Sequence, residues 1–169
     1  MFEELRALMA DARYTEVVAR VDAAAPDIRQ APALLLLKAR ALHLSEHPAP
    51  ALAVLAEAAA RGAEDKHVLP LRRAIQFQLK DDAGLAETLL RLTEVEPGNQ
   101  NNPIALARLY LRQGDAAAAA LWAQRILDAE PGNPVGHSLR YQAAQLAEDL
   151  DAVIHALQTA IRDASELPA

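Results

Sequence analysis

Catalysis and metal binding need side chains that attack, titrate or ligate, and this chain offers few of them in useful arrangements. His43 and His47 stand four apart, a spacing that presents two imidazoles on one helix face, as a zinc site requires. Pro48 follows at once, however, and His43-Leu44-Ser45-Glu46-His47 lacks the Glu placement of a zinc-protease helix. With no third ligand evident, the pair reads as helix-end histidines that favour the negative end of the helix dipole. The serines are Ser45, Ser138 and Ser165, and none sits in a Gly-x-Ser-x-Gly elbow. The carboxylate pairs Asp81/Asp82 and Asp149/Asp151 fall at helix starts, where caps and first-turn acids belong. The glycines are too scattered to cradle a phosphate. These residues predict no catalytic centre, no metal and no cofactor; the chain does not read as an enzyme.

The arginines and their neighbours are better arranged. Arg108 and Arg112 are four apart, so a helix brings them to one face together with Ile104 and Leu111. Arg72 and Arg73 precede Phe77 by about one turn, and Gln142 and Gln145 form a similar pair further on. What these side chains do depends on the elements that carry them.

Composition points to helices. Of 169 residues, 52% are apolar but only 4% aromatic, and much of the apolar share is Ala. Ala is the best helix former, whereas a β or α/β core would draw on Val, Ile and aromatics. The net charge of −6 suggests no overall affinity for nucleic acid or anionic lipid. There is no Cys, which excludes disulfides and thiolate metal sites and fits a reducing compartment. No apolar run approaches the roughly 20 residues of a membrane span, and Glu3 and Glu4 stand where a secretory signal carries bases. A cytoplasmic location is the expectation.

Apolar periodicity predicts about ten helices, near 2–12, 15–25, 32–45, 50–61, 66–79, 82–94, 102–112, 115–129, 134–147 and 150–164. Pro26 closes the first unit, and a frayed tail follows the last helix. Asp82 and Asn102 are the expected N-caps of the sixth and seventh helices, and Asp115 that of the eighth. Within this rhythm Glu96-Pro97-Gly98-Asn99 recurs as Glu130-Pro131-Gly132-Asn133, thirty-four residues on. Pro cannot continue a helix, and the Gly after it can take the positive φ that a tight exit needs. No linker separates the elements, so one domain spans 1–169.

The segment Gln100–Asn133 resembles a tetratricopeptide repeat. Leu106 and Ala107 stand where that pattern has Leu-Gly, Tyr110 on its Tyr, Ala119 on its Ala and Pro131 on its Pro, while Gly114-Asp115 fills the turn between helices. Pro103 and Ala123 replace the usual aromatics. Lys66–Asn99 fits through Leu85, Leu89, Leu92 and Pro97, with Arg72 and Arg73 in place of Leu-Gly; in Pro134–Pro168, Arg140 and Tyr141 do the same, and Val153, Leu157 and Ala160 take the packing positions of the second helix. The first two units match by Tyr14, Val17 and Val21, and by Ala51, Leu55 and Ala58. The family's paired Lys and Asn for clamping chaperone tails are missing.

The resemblance implies an all-α, right-handed superhelical solenoid of about five antiparallel helix pairs. Its units would be approximately 1–30, 31–64, 65–99, 100–133 and 134–168. It further implies a non-enzymatic interaction module or scaffold, with a peptide or protein partner of unknown identity in the concave groove. Arg72, Phe77, Ile104, Arg108, Leu111, Arg112, Gln142 and Gln145 would line that groove, Arg gripping a carboxylate bidentately. Alternatively the arginines pair with acids on neighbouring helices and keep the solenoid soluble. Tyr110 belongs to the core, and Trp122 packs on the next unit or stands out as an anchor. A second function class is self-assembly as a dimer, or docking on an adjacent domain, through Val153, Ile154, Leu157 and Ile161, which no further helix covers. A third is the targeting arm of a larger bacterial-type enzyme, and a secretion-chaperone-like protein is a fourth.

Overall fold

The computed structural model describes residues 1–165. Among them there is no strand, and the helices follow in order as α1 (Phe2–Ala10), α2 (Tyr14–Asp22), α3 (Pro26–Arg29), α4 (Pro32–Leu44), α5 (Pro48–Ala60) and α6 (Asp65–Leu79). They continue as α7 (Asp82–Val95), α8 (Asn101–Gln113), α9 (Ala116–Ala129), α10 (Pro134–Leu146) and α11 (Leu150–Ser165). The chain is all-α, and its helices pack in consecutive pairs: α1 on α2, α4 on α5, α8 on α9 and α10 on α11. Two compact units are resolved, Met1–Thr88 and Leu89–Ala169, with the division inside α7. The end of the expected fifth repeat at residue 168, and the tail beyond residue 165, lie outside the described residues.

The repeat is written in the backbone. Ala12 (φ 57°), Glu46 (63°), Lys80 (56°), Gly114 (80°) and Glu148 (55°) are left-handed, and each lies thirty-four residues after the one before. Each ends a first helix, and each is followed by an amide that closes the same bond to a carbonyl five residues earlier. The donors and acceptors are Arg13 to Leu8 (2.9 Å), His47 to Leu42 (2.9 Å), Asp81 to Gln76 (3.0 Å), Asp115 to Tyr110 (2.9 Å) and Asp149 to Ala144 (3.2 Å). This is the wider of the two Schellman bonds that satisfy orphan carbonyls at a helix end. Only Gly114 is a glycine, although a side chain at such a position costs about 1 kcal/mol or more. Glu46→Gly, Lys80→Gly and Glu148→Gly should therefore each raise stability by about 0.5–1 kcal/mol in urea unfolding, and Gly114→Ala should lower it by about 1 kcal/mol.

Several local expectations are corrected. The second helix ends earlier than expected, at Asp22, and Pro26 opens the one-turn α3, where its fixed φ suits the first position and its missing N–H costs nothing. The cap of α7 is Asp81 rather than Asp82, since the Gly84 amide donates to Asp81 Oδ1 at 3.0 Å. Asn102 is not a cap but a fully buried residue inside α8. Asp115 does cap α9, accepting from the Ala118 amide at 2.9 Å. Gly98 and Gly132 do not have positive φ. The two Glu-Pro-Gly-Asn turns are closed instead by paired bonds that recur in both copies. The Asn amide donates to the Glu carbonyl at 3.0 Å in each. The Asn side chain donates to the Glu carboxylate at 2.8 Å in the first copy and 2.7 Å in the second.

In the first unit Leu5, Leu8, Val17, Val21 and Leu34 form one apolar cluster, and Leu55, Val68 and Ile75 with Ala39 and Ala51 form another. In the second unit Leu106, Leu109, Ile126 and Leu139 are buried, as is Trp122, over whose ring the Arg125 guanidinium lies 4.3 Å from the centroid. Trp122 is thus a packing residue, not an exposed anchor. Tyr110 is only half-buried. On α11 the buried side chains are Ala156 and Thr159, while Leu157 is 47% exposed. The pattern's packing register is therefore offset there by one residue from the expected one.

Candidate functional site

The thirty-four-residue register shows which side chains share a face. On α8, Ile104, Arg108, Leu111 and Arg112 fall on one stripe; Ile104 and Leu111 are half-buried and the arginines exposed. One repeat later the equivalent positions on α10 include Ser138, Gln142 and Gln145, and α8 packs beside α10. Both amides are held: Gln142 Nε2 donates to Ser138 Oγ at 3.0 Å and Gln145 Nε2 to the Tyr141 hydroxyl at 2.9 Å. The second unit therefore brings six of the expected residues onto adjoining stripes.

The first unit separates the other two. Phe77, 66% exposed, lies on the stripe of α6 that corresponds to Leu111. Arg72 is five residues away, about 140° round the helix. Its position is that of buried Leu106 one repeat later, and of Arg140 two repeats later. Arg140 spans from α10 to its neighbours: Nη1 lies 3.5 Å from Gln124 Oε1 on α9 and Nη2 lies 3.3 Å from the Ala156 carbonyl on α11. At the same position one repeat before Arg72, Lys38 pairs with Asp22 on α2. At this register Lys38 pairs with an acid of a neighbouring helix, while Arg140 reaches an amide and a backbone carbonyl rather than the acid that the alternative reading of the arginines expected.

Sequence reasoning passed over a groove of about 480 Å³ between α4 and α6. Leu36, Leu37 and Arg40 line it on α4, and His67, Pro70 and Leu71 on α6. Arg40 is the counterpart of Arg108 two repeats earlier, so adding the register twice would have found it. Beside the groove the Lys66 ammonium lies 2.7 Å from Glu64, and its hydrogen bond holds that carboxyl below the ordinary carboxylate range. Charge is unevenly divided along the chain. Four of the five first helices, α4, α6, α8 and α10, carry Lys38, Arg40, Lys66, Arg72, Arg73, Arg108, Arg112 and Arg140 against a single acid, Asp65, whereas α1 carries Glu3 and Glu4 with Arg6. The net charge of −6 averages this asymmetry away.

The two histidines of the pair make separate side-chain contacts. His43 Nδ1 lies 2.9 Å from Gln78 Oε1, while His47 Nδ1 lies 3.3 Å from Ser45 Oγ. No group of three potential ligands comes together among the described residues. No helix there is long and apolar enough to cross a membrane. On α11 the expected association residues divide: Ile154 (45%), Leu157 (47%) and Ile161 (72%) are exposed with Leu150 (70%), and Val153 is half-buried.

No family model matches the sequence, and no curated protein matches it. Among solved structures, the crystal structure of MamA protein is similar at a TM-score of 0.72, over 98% of this chain and 93% of that one. Sequence identity is 11%, so the likeness speaks for the fold alone: a helical-repeat architecture.

Proposed function

We propose that this protein is a non-enzymatic interaction module that holds a peptide or protein partner on the exposed face of its first helices. The observation that carries this is the adjoining pair of stripes on α8 and α10. There, exposed Arg108 and Arg112 flank half-buried Ile104 and Leu111, beside amides fixed by Ser138 and Tyr141. Apolar patches with bidentate donors and preset amides suit a polypeptide, whose backbone and carboxylates need both. The double variant R108E/R112E should lose most of the partners that the wild-type chain captures from its native lysate, with unchanged helicity by circular dichroism. Unchanged capture would move the binding surface elsewhere.

A second reading is favoured by α11, where Leu150, Ile154, Leu157 and Ile161 recur at four- and three-residue steps and are all exposed. That spacing is a coiled-coil seam, and self-association through it is the structural-module alternative. Light scattering should then give a mass that rises with concentration; a monomer throughout the micromolar range would refute it.

A further inference from the structure

Pro70 lies in the interior of α6, where it has no amide hydrogen to give the carbonyl of Lys66. Lys66 and Pro70 both line the groove between α4 and α6, so that carbonyl loses its helical donor on the groove side. The floor is apolar through Leu36, Leu37 and Leu71, and the cationic side chains are Arg40 and Lys66, with His67 beside them. Lys66 is partly neutralised by Glu64, but Arg40 is exposed. The acid of α6, Asp65, is five residues from Pro70 and so about 140° round the helix; α4 has no acid at all. In a chain with 23 acids and a net charge of −6, a groove whose lining residues include no acid is a selective feature, with Glu64 at its edge paired to Lys66.

We propose that this groove binds an extended peptide segment in which a large apolar side chain stands next to an Asp or Glu. The apolar side chain covers Leu36, Leu37 and Leu71, the carboxylate takes the Arg40 guanidinium, and a peptide N–H donates to the Lys66 carbonyl. A nucleic acid fits less well, because leucines rather than stacking aromatics form the floor and the backbone group that lacks its i+4 donor is an acceptor. The assignment rests on the reading that the first-helix face binds polypeptide, and it adds a second subsite with a stated partner chemistry.

The test uses the full chain on an array of twelve-residue peptides. Leu or Phe and Asp or Glu are varied in spacing, with Lys-for-acid and Ser-for-Leu counterparts and a twelve-nucleotide oligouridine as controls. Acidic–apolar peptides should be retained at least tenfold better than every control. Arg40→Glu should abolish that preference. Pro70→Ala, which returns the amide to α6, should weaken retention several-fold while raising thermal stability. Equal retention of the Lys counterparts, stronger retention of the oligouridine, no retained acidic–apolar peptide, or indifference to Arg40→Glu would each overturn the assignment. Loss of retention in R108E/R112E but not in Arg40→Glu would sink this groove and leave the wider reading standing. Indifference of array binding and lysate capture to all three variants would sink both.

Discussion

Asn102→Asp is expected to destabilise the protein by about 4 kcal/mol at pH 7, because it buries a charge with no partner. Asn102 is fully buried, and its amide nitrogen lies 3.4 Å from both the Leu92 carbonyl and Glu96 Oε2. Glu96 also accepts from Asn99 at 2.8 Å. The substitution changes almost no volume but replaces a donor with a carboxylate facing a carboxylate and a carbonyl oxygen. Both desolvation and like charge raise the pKa of the new group in the folded state above its ordinary value of about 3.9. Between those two values the folded state binds more protons than the unfolded one, so stability falls as pH rises through that window. The penalty should therefore be full at neutral pH and fade as pH drops toward about 4. Urea unfolding of both proteins at several pH values reads this directly. A loss that does not vary with pH would show that shape, not charge, is what Asn102 supplies.

The same residue shows where the sequence was legible and where it was not. The echo of Glu96-Pro97-Gly98-Asn99 at Glu130–Asn133 was visible as a period, and the all-helical class followed from it and from the Ala content. The helix count was nearly right because proline and small polar residues mark ends whatever the packing. What the echo concealed is that its glycines carry no left-handed backbone. Besides Gly62, the left-handed positions are Ala12, Glu46, Lys80, Gly114 and Glu148, which recur every thirty-four residues, and four of these five have side chains that give no turn signal. With them unread, the register at the weaker units stayed loose. Arg72 was placed beside Phe77 although the helix turns them to different faces, and Arg40, the counterpart of Arg108, went unnoticed. Asn102 looked like a cap because caps are its usual use. Only packing reveals that the position is interior, as does its counterpart Gly136, where a Cβ would lie 2.9 Å from Leu127 Cδ2.

Leu55→Ala is expected to cost about 3 kcal/mol, and its readout also tests whether residues 1–169 behave as one domain. Leu55 is fully buried in α5, in a cluster with Ala39, Ala51, Val68 and Ile75. Two of those four neighbours are alanines, which have no side chain to move into the space, so the cavity should stay open and the cost should exceed the transfer term alone. Trp122 is the only tryptophan and is buried in the second unit, whereas the substitution lies in the first. In a short repeat array, stability is shared through neighbouring interfaces, and α7 contributes residues to both units. The expected result is that Trp122 fluorescence and far-ultraviolet circular dichroism report one common melting midpoint, lowered by roughly 6–12 °C. Two-state unfolding requires that coincidence of probes. A Trp122 midpoint that stays at the wild-type value while half the helical signal melts early would instead show two independently folding halves. The single-domain reading would then fall, although the cavity cost itself would stand.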